Sequence, residues 1–263
     1  MLPQPASDTT CLVTGASAGI GVAFAEQLAA DGYNLAIVAR RADRLTDLAE
    51  RLRAAHGVTV DVLVCDLADI SQRDTMLSAL AATGRHVDIL INNAGYGMQG
   101  RWLDMDPETE RQMINLVVDA PLHLCRVVIP GMVVRGRGAV LNLGSIASFQ
   151  PMPGMATYGA AKAFSLSFSN ALHAELAGTG VTVTECCPGP VRTEFTALAG
   201  GEEFAKLIPD FAWKEPGEVA AEALRELARG RRLVTPGWVT TVSAFAGRHA
   251  PRGPLLTVVN RLM

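Results

Sequence analysis

The sequence predicts an α/β fold: a doubly wound parallel sheet of about seven strands with helices on both faces, three α/β/α layers, in a single domain over residues 1–263. Three observations predict it. Short apolar, β-branched runs alternate with amphipathic segments from Thr10 to Thr235, the pattern of parallel strands joined by right-handed crossovers. The first run ends in a glycine-rich turn that opens directly into a helix. Apolar residues make up 49% of the 263 and charged residues 19%, which suits one large buried core.

The first strand is Thr10 to Thr14, followed by Gly15-Ala16-Ser17-Ala18-Gly19-Ile20-Gly21 and a helix to about Asp31, with Gly32 as its stop. Small residues in that turn let the backbone approach a pyrophosphate, and the helix N-terminus supplies free N–H groups and positive potential. The second strand, Asn34 to Ala39, ends in Arg40-Arg41. At this place an acidic residue receives the adenine ribose hydroxyls and a basic one a 2′-phosphate. Arg40 after Ala39 favours NADP over NAD; a solvated Arg40 is the alternative. Arg41, Asp43 and Arg44 read as the exposed face of the next helix.

The third strand, Thr59 to Val64, leads to Asp66-Leu67. Asp66 stands either to meet an adenine amino group or to cap the helix that starts near Ile70, for which Asp69 and Ser71 are nearer. The fourth strand, Asp88 to Ile91, is followed by Asn92-Asn93-Ala94-Gly95, which suits a tight backbone passage beside a cofactor. Asp106-Pro107-Glu108 opens a long helix that contains Asn115. The fifth strand, Gly138 to Leu143, delivers Ser145, and a helix carrying Tyr158 and Lys162 follows, to about Gly178. The sixth strand, Val181 to Cys187, ends at Pro188-Gly189-Pro190-Val191-Arg192-Thr193. Residues 194–215, with Phe195, Phe204, Phe211 and Trp213, read as a lid over an apolar pocket or as ordinary surface packing. A helix from Pro216 to Arg229 and a short seventh strand at Leu233–Thr235 complete the sheet, and the tail 238–263 packs on the body or on a sister subunit, a peripheral membrane helix being the minority reading.

Composition narrows the function classes. The formal net charge is -3 with no basic block, which excludes a nucleic-acid backbone as partner. Five cysteines, Cys11, Cys65, Cys125, Cys186 and Cys187, are odd in number and match no metal spacing, so reduced buried thiols in a cytoplasmic protein are expected. Met1 to Thr10 shows no secretory signal, and no apolar run is expected to cross a bilayer.

The chemistry gathers between Ser145 and Lys162. A Tyr and a Lys four apart share one helix face. An ammonium near a phenol stabilises the phenolate, making an acid or base for a carbonyl or carbinol oxygen, and a serine hydroxyl beside them can hydrogen-bond the same oxygen.

Thr14-Gly15-x-x-x-Gly19-x-Gly21, Asp66-Leu67, Asn92-Asn93-Ala94-Gly95, Asn115, Ser145, Tyr158-x-x-x-Lys162 and Pro188-Gly189, in this order over residues 8–235, resemble the short-chain dehydrogenase/reductase family in its single-domain form. The resemblance implies a Rossmann-type sheet and hydride transfer between a nicotinamide and a carbonyl or secondary alcohol of an apolar or amphipathic substrate. It implies Tyr158 as general acid/base, Lys162 lowering its pKa and holding the nicotinamide ribose, Ser145 polarising the carbonyl, and Asn115 holding a relay water. By the same resemblance Gly15, Ser17, Gly19, Ile20 and Gly21 cradle the pyrophosphate, Asp66 and Leu67 the adenine, Asn93, Ala94 and Gly95 the adenosine ribose, and Pro188, Gly189, Val191 and Thr193 the carboxamide side. Arg40 resembles NADP-preferring members, although Ala18 stands where some of them carry a second basic residue, so NAD(H) stays possible. Met98, Trp102, Phe149, Met152, Met155 and the lid aromatics are expected to line the pocket. A homodimer or homotetramer paired through the long helices is implied. A catalytically silent dinucleotide-binding sensor is the competing class.

Overall fold

The structure, a computed structural model, describes residues 1–195 and 208–262. Seven strands, β1 (Thr9–Thr14), β2 (Leu35–Ala39), β3 (Val60–Val64), β4 (His86–Asn92), β5 (Gly138–Leu143), β6 (Val181–Cys186) and β7 (Leu233–Val234), form one parallel sheet in the order β3-β2-β1-β4-β5-β6-β7. The order reverses between β1 and β4, and a crevice opens beyond the carboxyl ends of those two strands.

Strand periodicity buries both faces. Cys11, Val13, Ile37, Ile89 and Leu141 point to one side, with Phe24 and Leu28 of α1 (Gly19–Ala30), Leu45 and Leu48 of α2 (Ala42–His56), and Val219 and Leu224 of the helix Pro216–Ala228. Leu12, Ala36, Val38, Leu90 and Val140 point to the other, with Met76 and Leu80 of α3 (Ile70–Ala82) and Leu124, Val128 and Met132 of the helix Ala120–Arg135. The alternating apolar residues are therefore the cause of the three layers. All five cysteines are free and buried among them.

Asp69 caps α3 by accepting from Ser71 N (2.8 Å), which leaves Asp66 with a local turn bond from Ala68 N (3.0 Å) and a second oxygen facing the crevice. The long helix departs from a regular α-helix. α4 (Pro107–Ile114), capped by Asp106, passes through a π segment (Asn115–Asp119) into α5 (Ala120–Arg135), and Ala120 N bonds Asn115 O five residues back. One extra residue in that turn displaces Asn115 from the ordinary helical track, as π-bulges at functional sites do.

The run Pro107–Arg135 is also long and apolar enough, by length and composition, to cross a bilayer, which corrects the expectation that no segment would be. Its apolar character comes from α5 lying on β4 and β5, with Leu124, Val128, Ile129 and Met132 in the core.

α6 (Ala156–Glu175) carries Tyr158, α7 (Pro216–Ala228) covers the first face, and α8 (Trp238–His249) and α9 (Arg252–Leu262) form the tail. The 194–215 segment is stitched at its roots: Arg192 N donates to Lys214 O (2.9 Å) and Lys214 N to Pro190 O (3.0 Å). Phe204, one of the expected lid aromatics, lies outside the described residues.

Candidate active site

A cavity of about 690 Å³ fills the crevice. At one end the turn after β1 is built so that side chains are excluded. Gly15 has φ +68°, and a Cβ there would meet Asn93 Nδ2 at 2.7 Å; a Cβ on Gly21 would lie 2.2 Å from Gly15 O. Gly21 thus supports the turn from behind, whereas Gly15, Ser17, Gly19 and Ile20 face the cavity. The N-terminus of α1 has no side-chain cap and no acidic residue in its first turn, so its N–H groups and positive end stay open to an anion. Backbone bare of side chains at a helix N-terminus fits a dinucleotide diphosphate.

The amide after β4 braces the glycine turn. Thr14 Oγ1 accepts from Asn93 N (2.9 Å) and Ala94 N (3.1 Å) and donates to Ile91 O (3.1 Å), and Asn93 Nδ2 donates to Thr14 O (2.8 Å). Asn93 lines the cavity, but its amide nitrogen is committed to bracing the glycine turn. Ala94 and Gly95 continue the wall.

Arg40 is exposed at the cavity rim and reaches Asp66 Oδ2 at 3.7 Å; Leu67 lies beside them. Arg41 does not point away along the helix as expected. It lines the cavity, its Nε donates to Ser17 Oγ (3.1 Å), and its guanidinium pairs with Glu194 (2.9 Å), which also pairs with Arg44 (2.7 Å). Consecutive arginines in the sequence give no sign of which one turns inward; the backbone leaving β2 decides it.

At the centre, Ser145, Tyr158 and Lys162 stand together on the cavity wall. Ser145 starts a 3-10 turn (Ile146–Phe149) and its Oγ accepts from Ala147 N (3.1 Å), which leaves the hydroxyl proton to donate towards Tyr158. Burial pushes Tyr158 up to about 12, opposed by the hydrogen bond from Ser145 and reinforced by Cys187. Lys162 Nζ donates to Leu143 O (2.6 Å) and sits 5.8 Å from the Tyr158 ring centre. Burial lowers its pKa and the charge of Glu185 opposes that most strongly. Asn115 is half-buried and does not line the cavity, whereas the next residue, Leu116, does.

Pro188, Gly189, Val191 and Thr193 close the wall after β6, and Thr193 packs against Gly19, since a Cβ there would meet Thr193 Cγ2 at 2.8 Å. On the far side Met152, Met155, Phe195 and Trp213 line the cavity as expected of that apolar end. Met98, Trp102 and Phe149 do not. Met98 packs under Met113 and Tyr158, Trp102 is 60% exposed on a surface turn, and Phe149 is buried beneath Ala244 of α8, with Arg248 over its ring. The sequence pattern marked these side chains as apolar but not which way the turns face. Val239, Thr240 and Ser243 of α8 complete the lining and were missed because the tail lies far from the motifs in sequence. Glu185 was missed too, although a carboxylate inside the apolar run Val181–Cys187 is a readable signal; it is fully buried behind Gly144.

Comparison with known proteins agrees with this geometry. The family described as short chain dehydrogenase matches residues 9–203. The chain is 36% identical over 219 residues, 82% of its length and 85% of the relative's, to "Sulfoacetaldehyde reductase 2" of Chromohalobacter salexigens. It is 36% identical over 205 residues, 76% of its length and 75% of the relative's, to a "Probable NADP-dependent dehydrogenase" of Haemophilus influenzae. Among solved structures, a short-chain dehydrogenase from Sphingobium yanoikuyae in complex with NADPH superposes with a TM-score of 0.82 at 35% identity, covering 95% of both chains.

The burial of Tyr158 has a direct spectroscopic consequence. Its folded pKa lies above the ordinary 10, as does that of Tyr33, so folding holds both protons and stability drains away as pH rises from 10 towards 12. In a rapid pH-jump titration of the chain's three tyrosines, native tyrosinate absorbance should lag that of the unfolded chain across this window. Tyr158→Phe should remove one late-titrating step; an unchanged late amplitude would show that Tyr158 is not the buried phenol.

Proposed function

The chain belongs to the short-chain dehydrogenase family, and from that premise we propose that it is an NADP(H)-preferring oxidoreductase that reduces the carbonyl of a neutral, apolar or amphipathic ketone or aldehyde. The observation that carries the reading is one cavity with an anion-ready glycine turn at one end and Ser145, Tyr158 and Lys162 in its middle. No observation favours the silent sensor.

In this reading NADPH, when bound, supplies the hydride. Gly15, Ser17, Gly19 and Ile20 hold its diphosphate, with Gly21 supporting the turn. Asp66 and Leu67 receive the adenine, Ala94 and Gly95 the adenosine side with Asn93 bracing them, and Pro188, Gly189, Val191 and Thr193 the carboxamide side. Arg40 and Arg41 present two guanidiniums for a 2′-phosphate, a geometry suited to forked hydrogen bonds. Ser145 donates to the substrate oxygen, and Tyr158 gives its proton to that oxygen as negative charge develops there. A protonated phenol beside the substrate oxygen is the proton donor that carbonyl reduction needs. Lys162 keeps N–H groups for ribose hydroxyls, and Asn115, on its π turn, holds the water that links Lys162 to solvent.

Charge placement supports the substrate class. Arg40, Arg41, Asp66 and Glu194 lie at the cofactor end, and Met152, Met155 and Phe195 make the opposite end apolar. The substrate in the name of the Chromohalobacter relative is not carried over to this chain. Buried reduced thiols fit a cytoplasmic setting. Leu122, Val127 and Val134 of α5 and Phe164 of α6 are apolar and exposed, which supports pairing through these helices.

Three measurements test this. With NADPH and a panel of neutral aryl and alkyl ketones, the protein should turn over, and Tyr158→Phe should slow the reaction by about 10²–10⁴-fold with little change in NADPH affinity; full activity in Tyr158→Phe would sink the mechanism. Removing both guanidiniums (Arg40→Ala with Arg41→Ala) should weaken NADPH by at least about tenfold more than NADH, consistent with losing charge-assisted phosphate bonds; equal losses would reject the 2′-phosphate role. Light scattering should give a native mass two or four times 27.8 kDa, and a monomer at micromolar concentration would end the pairing proposal.

A further inference from the structure

Glu185 is a charged residue near the carboxyl end of β6, and it is fully buried. Three observations set it beside the reacting groups. Its Oε2 accepts from Ser169 Oγ (2.6 Å), the end of a chain in which Asn92 Nδ2 donates to Asn142 Oδ1 (2.8 Å) and Asn142 Nδ2 to Ser169 Oγ (2.8 Å). Every donor in the chain points towards the carboxylate, an arrangement that serves an anion. Its Oε1 has no hydrogen-bond partner among the described residues and presses on Gly144, where a Cβ would lie 2.3 Å away. Gly144 joins Leu143, whose carbonyl accepts from Lys162, to Ser145.

Lys162, itself buried, thus bonds the carbonyl of the residue before this glycine. An ammonium taken out of water reverts to the neutral amine unless a counter-charge is close. The Coulombic contribution of Glu185 is the largest one keeping Lys162 charged. Around the pair, Tyr158, Cys186 and Cys187 are the other titratable neighbours, with Glu222 reaching Cys186 from α7; burial pushes both thiols and the phenol upward, so they stay neutral at ordinary pH. Burial pushes Glu185 up to about 7, opposed by the Ser169 and Ser165 hydroxyls and by Lys162. The charges of Glu185 and Lys162 each favour the ionised form of the other, against the effect of burial.

We propose that Glu185 is a positioning residue: the buried counter-ion, held by the Asn92–Asn142–Ser169 chain, that keeps Lys162 an ammonium behind the Leu143–Gly144–Ser145 turn. This buried carboxylate gives the chain a negative charge that the Ser145–Tyr158–Lys162 group does not itself contain. The inference deepens the reading of Tyr158 and Lys162 as the proton-handling pair, and its test uses neither cofactor nor substrate, so the two can fail separately.

The chain's lysines are Lys162, Lys206 and Lys214, few enough to follow each by NMR of isotope-labelled lysine side chains, with Lys162→Met assigning the resonance. In the intact protein, Glu185→Gln keeps an acceptor for Ser169 but removes the charge. The Lys162 titration midpoint should fall by at least about one pH unit, a tenfold loss of proton affinity, while Lys206 and Lys214 stay put. Glu185→Asp, which keeps the charge but withdraws it, should fall by less. If Glu185→Gln does not fold, Glu185→Asp alone decides, and a downward shift supports the assignment. An unmoved Lys162 midpoint in any folded variant, whatever the change in melting temperature, would overturn it and leave Glu185 a structural group only.

Discussion

One hydroxyl ties together the place where the sheet reverses. Thr14 Oγ1 bonds Ile91 O, Asn93 N and Ala94 N, and the Asn93 amide returns a bond to Thr14 O. These bonds hold the carboxyl ends of β1 and β4 at a fixed separation. The glycine turn, the α1 N-terminus and the Ala94–Gly95 wall all take their places from that separation. A buried hydroxyl that makes three such bonds uses its donor and both acceptor positions, so it can be both polar and rigidly held.

From this brace the cavity acquires its polarity gradient. Charged groups collect where β2 and β3 end, at Arg40, Arg41 and Asp66, with Glu194 reaching across from the segment after β6. The middle is dry enough to push a phenol and an ammonium in opposite directions, each towards neutrality. The far end is apolar, closed by Met152, Met155, Phe195 and Trp213. Tyr158 and Phe195 rings lie 5.7 Å apart, so the root of the 194–215 segment touches the central phenol directly.

One chain of buried polar groups lies beneath the site. Asn92, Asn142, Ser169 and Glu185 run from β4 across β5 and α6 to β6. An apolar filling would stabilise the same space more cheaply, because each buried charge must overcome its desolvation. Retaining a carboxylate there makes sense only beside a group of opposite sign, and Lys162 is that group.

The sequence by itself determined the strand–helix alternation, the two buried sheet faces and the identity of most residues along the cavity. These follow from local rules: period-two burial, small residues where backbone must approach closely, and a fixed four-residue offset that puts Tyr158 and Lys162 on one helix face. Directions were not local. Which of Arg40 and Arg41 turns inward, why Gly21 braces while Gly19 faces the cavity, that Asn93 spends its amide on Thr14, that Trp102 and Phe149 leave the pocket while Val239, Thr240 and Ser243 enter it, and that Glu185 lies behind Lys162 were decided only when distant segments met. A side chain's residue type states what it can do; its partner, its solvent exposure and therefore its charge depend on surfaces brought together from across the whole chain.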